Sequence, residues 1–135
     1  MSRSGDAPVI AEALSLLQEL DPARIKHLAQ DPAVNQRKRD SIWDRSAAVR
    51  RKLMEIYVLH PSAEVQAAAE DLSIKLDVAA NRSLWLLSEA VKGRDNRELH
   101  DSAQTSQQDA MTAAGEMKNQ VNAFAGGGRR RNKKK

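Results

Sequence analysis

The 135-residue chain contains no cysteine, so disulfides, thiolate nucleophiles and zinc sites built on Cys are excluded at once. Aromatic residues make up 3% of it, and Trp43, Tyr57, Trp85 and Phe124 are the whole set. Any core must be assembled from Leu, Ala, Val, Ile and Met. That palette suits helices better than sheets, which favour β-branched and aromatic residues. No apolar run of about 18 residues occurs, so no membrane-spanning helix is expected and a membrane is not an expected partner. The opening stretch MSRSGDAPVIAEALSLLQEL carries Asp6 and Glu12 around a broken apolar segment and reads as a poor signal peptide. A cytoplasmic protein is the expectation.

Signatures of chemistry are missing as well. A bundle-borne metal site needs carboxylates and histidines three or four residues apart on one helix face. His27, His60 and His100 fall on separate segments, and no Glu-x-x-His occurs. Glu98 and His100 are two residues apart and diverge on a helix. His60 precedes a proline, where a solvated turn histidine is the expectation. There is no G-x-S-x-G elbow, and the glycines Gly126–Gly128 follow a helical pattern instead of opening one, so they cannot cradle a phosphate. No enzyme, cofactor, metal or small-molecule substrate is expected.

What is present is helical patterning. Met1–Ala7 reads as a disordered N-terminus, with Asp6 a cap and a first helix starting near Pro8 and carrying Ile10, Leu14, Leu17 and Leu20. The triplet DPA occurs at Asp21–Ala23 and at Asp31–Ala33. Each marks a helix start, with Asp as cap and Pro in the first turn. The first should open a short helix over Pro22–Gln30 and the second a long one over Pro32–Leu59, which Pro61 terminates. Ser62 should cap the next helix.

That next helix carries the clearest signal in the chain. Val65, Ala69, Leu72, Leu76, Ala79, Ser83, Leu86 and Ala90 alternate at intervals of four and three, the pattern of a bundle or coiled-coil seam. Ala68, Ala80, Leu87 and Val91 widen the stripe. Gly93 should stop the helix in a left-handed conformation, and Asp95 or Asn96 should cap the last one. The last helix carries Leu99, Ala103, Ala110, Ala114, Met117, Val121 and Phe124, but the polar stretch SAQTSQQD (102–109) predicts a loosely held, partly exposed element. The organisation expected is a disordered 1–7, an all-α bundle over 8–125 with three long antiparallel helices after short N-terminal ones, and a flexible basic tail over 126–135.

Net charge is +4, and its distribution matters more than its value. The tail holds Arg129, Arg130, Arg131, Lys133, Lys134 and Lys135. Removing those six from the 22 basic residues leaves 16 against 18 acidic ones, so the body is slightly acidic. The local exception is Arg37–Lys52, where Lys38, Arg45 and Lys52 recur every seven residues beside an apolar face of Ile42, Val49, Leu53 and Ile56. With Arg37 and the tail, these residues are candidates for sequence-independent contact with a polyanion such as nucleic acid. The other reading is a solvated flank whose long stems cover the core and pair with acids such as Glu70, Asp71 and Asp77. The tail, likewise, is either a polyanion arm or a solubilising end. Trp43 is expected in the core.

The stretch WDRSAAVRRKLMEIYVLHPSAEVQAAAEDLSIKLDVAANRSLW (43–85) resembles a pattern common in uncharacterised bacterial helical proteins, many of them actinobacterial, in which a helix ends in a short Pro turn followed by EV and an Ala-rich helix. The match centres on Leu59–Val65 and covers about a third of the chain. It implies a helical hairpin and no activity. The small secreted Trp-x-Gly hairpins do not fit, because Trp85 is followed by Leu86 and Leu87. The function expected is non-enzymatic: a helical bundle for protein–protein interaction or self-association, with nucleic-acid contact as the alternative.

Overall fold

A computed structural model of the chain describes the backbone of residues 6–134, and the side chains of all these but 34, 35 and 127–134. Five helices and no strand form it: α1 (Asp6–Glu19), α2 (Pro22–Leu28), α3 (Pro32–Leu59), α4 (Ala63–Val91) and α5 (Arg97–Lys134). The all-α expectation holds. No helix among the described residues is long and apolar enough to cross a membrane.

The breaks sit where local chemistry puts them. α3 stops before the His60–Pro61 pair, and Ser62 Oγ accepts the Val65 N–H at 3.2 Å to cap α4. α4 ends in two reinforcing backbone bonds, Gly93 N–H to Ala90 O at 3.0 Å and Arg94 N–H to Glu89 O at 2.9 Å. That pairing requires a left-handed residue at Gly93, whose φ is +77°. Asn96 Oδ1 then accepts the Leu99 N–H at 3.0 Å and caps α5.

Three boundaries differ from expectation. α1 begins at Asp6 instead of near Pro8, so Asp6 and Ala7 belong to the helix; Met1–Gly5 lie outside the described residues. An acid in a first turn suits the helix dipole, and Asp6 has a buried partner described below. α2 stops at Leu28, two residues early, as Gln30 and Asp31 donate to carbonyls three residues back and tighten the chain. α5 remains helical through Gly126–Gly128 to Lys134, where a linker and flexible tail were expected. Glycine weakens a helix by about 1 kcal/mol relative to alanine but does not bar one. The tail candidates Arg129, Arg130, Arg131, Lys133 and Lys134 thus continue the α5 backbone. Lys135 lies outside the described residues.

α4 is the element on which the others are laid. Of its seam, Val65, Ala69, Leu72, Leu76, Ala79, Ser83 and Leu86 are buried and Ala90 is half-buried. Ala68, Ala80 and Leu87 join them, but Val91 at the helix end is exposed. Each fully buried Leu contributes roughly 1.5–3 kcal/mol. α1, α2, α3 and α5 all pack on α4 and supply Ile10, Leu16, Leu17, Leu20, Ile25, Ile42, Leu53 and Met117 to one continuous core.

The polar stretch of α5 is partly exposed, as expected, with Gln104, Thr105, Gln108 and Asp109 toward solvent, but its other side is firmly packed. Ala103, Ser106, Gln107 and Ala110 are buried. Gln107 Nε2 donates to Leu17 O at 2.8 Å, and Ser83 Oγ of α4 donates to Leu20 O at 3.1 Å. α1 ends inside the core, where the following turn supplies donors to Leu17 O and Gln18 O, and Leu20 O takes its partner from a side chain. Small side chains in α5 let it approach closely, and one glutamine and one serine satisfy the buried backbone.

Candidate interaction surface

α3 presents three heptad rows with different fates. Its central row, Ile42, Val49 and Ile56, faces the core, the first two fully buried and Ile56 partly so. The row on one flank, Lys38, Arg45 and Lys52, meets α1. Arg45 grips Glu19 through two parallel bonds, Nη1 to Oε2 and Nη2 to Oε1, both 2.7 Å. Lys38 Nζ lies 3.8 Å from Glu19 Oε1, and Lys52 Nζ 3.3 Å from Glu12 Oε1. The bidentate bond from Arg45 is the main reason the Glu19 carboxyl titrates below its ordinary value; partial burial opposes it, and the charges of Arg45, Lys38 and Arg24 reinforce it. The basic stripe is therefore a clamp holding α1 on α3. Its acids lie on α1, and of the α4 acids expected to serve only Asp77 reaches α3, through Arg50. Arg37 stays exposed on the α3 surface.

The row on the other flank, Trp43, Arg50 and Tyr57, turns toward α4. Arg50 Nη1 donates to Asp77 Oδ1 at 3.0 Å, and Asn81 Nδ2 donates to the same oxygen at 3.1 Å and to Asp77 O at 2.8 Å. The same side of α3 carries exposed apolar side chains. Trp43, expected in the core, is 54% exposed, and Met54 and Tyr57 are also exposed.

On α4 itself Ile74, Val78 and Trp85 are spaced by four and seven, so they share one side of the helix, opposite the buried seam. Ile74 is 58% and Trp85 60% exposed. The sequence carried that signal, and the stronger seam on the far side of the same helix concealed it.

His60 departs most from the solvated turn residue expected. It is 5% exposed. Its Nδ1 accepts the Ser62 N–H at 2.9 Å, which leaves the ring proton on Nε2, 3.3 Å from Asp6 Oδ2. The Phe124 ring meets the imidazole edge-to-face at 5.0 Å between centroids. This cluster pins the start of α1 and the far part of α5 to the α3–α4 connection. Its chemistry is that of a structural lock.

Concavities border the helices. One, of about 290 Å³, lies between α4 and α5 and is lined by Lys75, Val78, Arg82, Thr105, Ser106 and Asp109. Arg82 fills part of it, bonding to the hydroxyls of Ser102 and Ser106. Another, of about 380 Å³, lies where α1, α2 and α3 meet. Among the described residues no group of three or more His, Asp or Glu is placed to hold a metal. No protein-family model matches the chain, and no curated protein or solved structure matches it either.

Proposed function

We propose that this chain is a non-enzymatic bundle, with α3, α4 and α5 running up-down-up as antiparallel neighbours, that acts by protein–protein interaction or self-association. The short connections at 60–62 and 92–96 support that arrangement. The observation that carries the function is the exposed row Ile74, Val78 and Trp85 on α4, with Trp43 and Met54 also exposed on α3. α4 already buries a complete seam on its other side, so this second row has no task in folding the monomer. Exposed apolar surface of this kind marks contact with another macromolecule, and tryptophan and tyrosine supply much of the energy in such contacts.

The test is sedimentation velocity across a wide concentration range, together with capture experiments in a host extract. Wild-type protein should associate with itself or hold a specific partner. A Trp43→Ser, Ile74→Ser, Trp85→Ser variant should keep its helical circular dichroism and lose that association. A strictly monomeric wild-type protein that captures nothing would end this reading, as would association untouched by the three substitutions. The polyanion alternative has less support, because Arg45 and Lys52 are paired with Glu19 and Glu12, Lys38 shares Glu19 with Arg45, and only Arg37 and the tail remain unpaired candidates. Duplex DNA and RNA titrated at low and high salt, with the full chain and with one ending at Ala125, decide it.

A further inference from the structure

The 380 Å³ concavity combines features that the interaction surface lacks. It is lined by Glu19 from α1, Ala23, Arg24, His27 and Leu28 from α2, and Lys38 from α3. Ala23 and Leu28 provide an apolar wall, and Leu28 is itself packed against the core. Glu19 is the one carboxylate in the lining, and its charge is already taken. Arg45 binds both oxygens at 2.7 Å from outside the lining and holds the carboxyl ionised.

Lys38 at 3.8 Å is then a loose second partner, beyond hydrogen-bonding distance. Arg24 acts on Glu19 only through its charge. A guanidinium with no ion pair among the described residues and an ammonium that only shares Glu19 with Arg45 thus border an apolar hollow, so that one carboxylate faces more than one cation. His27 on the same rim adds an imidazole.

We propose that this corner binds a small amphipathic anion, a monocarboxylate carrying a hydrocarbon body. The carboxylate would lie between Arg24 and Lys38, where charge-assisted bonds are strongest. The hydrocarbon would lie on Ala23 and Leu28, where it sheds water. The volume is that of a small-molecule site. Arg45 makes the site workable by removing the repulsion Glu19 would otherwise exert, so the bidentate clamp serves the pocket as well as the fold.

The experiment uses the full chain and octanoate, followed by calorimetric titration and by amide chemical-shift mapping. Acetate tests the need for the apolar body, and octylammonium tests the sign of the charge. Octanoate should bind with saturable shifts confined to residues 19–28 and the neighbourhood of Lys38, and acetate and octylammonium should bind far more weakly. Arg24→Gln with Lys38→Gln should weaken octanoate binding about tenfold, as loss of two exposed charge contacts implies. Ala23→Glu, at an exposed helical position, should abolish binding with circular dichroism unchanged. The proposal fails if octylammonium binds as well as octanoate, if the shifts map to Ile74 and Trp85, if the Gln variants bind normally, or if no saturable binding occurs. The first and third outcomes leave the interaction surface of α3 and α4 untouched, so the two readings fail separately.

Discussion

The buried end of α1 allows a comparison of two substitutions that a side-chain inventory would rank wrongly. Gln107 and Ser83 each donate one hydrogen bond to a backbone carbonyl inside the core. Gln107→Met keeps the volume and removes the donor, but Leu17 O retains the Leu20 N–H at 3.1 Å as a second partner. Only one lone pair loses its bond, so the expected loss is about 1 kcal/mol. Ser83→Ala removes just an oxygen, yet among the described residues no backbone N–H reaches Leu20 O beyond the helix ladders. The α1 helix has already ended there, so this carbonyl is left buried and bare, at a cost of about 2 kcal/mol or more. Gln107→Ala adds an unfilled cavity and should exceed Gln107→Met by a further 1–2 kcal/mol or so. Urea unfolding of the three variants and the wild type measures this, with m-values checked for constancy. If Ser83→Ala proves as stable as wild type, or clearly more stable than Gln107→Met, then carbonyl satisfaction is not what holds α1 in place.

Three further outcomes are expected. In a cycle of Glu19→Gln and Arg45→Met, the coupling should be about 1 kcal/mol, the upper end for a partly exposed pair, because the geometry is bidentate; since Glu19 titrates below its ordinary 4.5, that stabilisation is present above pH 4.5 and drains away as pH falls through the lowered value, so Glu19→Gln should flatten stability against pH in that acid range alone. Gly93→Ala should destabilise by roughly 1–2 kcal/mol from backbone strain, because φ is +77° and the space around the position is open, and Gly93→Asn should cost less; equal melting of all three would contradict it. His60→Leu should cost about 3 kcal/mol by thermal or urea melts, since it strips a buried carboxylate of its imidazole and the Ser62 N–H of its acceptor, and adding Asp6→Asn should recover part of that loss.

The legible parts of this chain were those dictated by local chemistry. Pro61, Ser62, Gly93 and the prolines of the two DPA triplets placed the helix boundaries because each acts on its own backbone, although of the two expected Asp caps Asp31 accepts the Ala33 N–H and Asp21 makes no capping bond. The α4 seam was legible because a spacing of four and three has one meaning. The illegible parts were settled by neighbours distant in sequence. Whether Gln107 faces water or the α1 carbonyls depends on a helix 90 residues upstream. Whether His60 is solvated depends on Asp6 and Phe124 at opposite ends of the chain. Trp43 looked like core because aromatics are scarce, but its flank of α3 looks past the α4 seam toward solvent.

The same distinction bears on function. A heptad of basic residues on α3 and a heptad of Trp43, Arg50 and Tyr57 are equivalent as patterns, for both flank the same apolar row. They differ in what each finds opposite. The Lys38–Arg45–Lys52 row meets Glu19 and Glu12, which removes Arg45 and Lys52 from the surface available to an anionic partner and leaves Lys38 only loosely paired. The Trp43–Arg50–Tyr57 row meets Asp77, which neutralises the charged member and leaves the aromatic ones open. Charge pairing inside the fold has therefore sorted the two flanks, one into internal fastening and the other into apolar surface. A partner reading the α3–α4 side would meet exposed aromatic and aliphatic groups and the ion-paired Arg50–Asp77–Asn81 node. It would gain by burying the former and lose little by desolvating the latter, because those charges already hold each other.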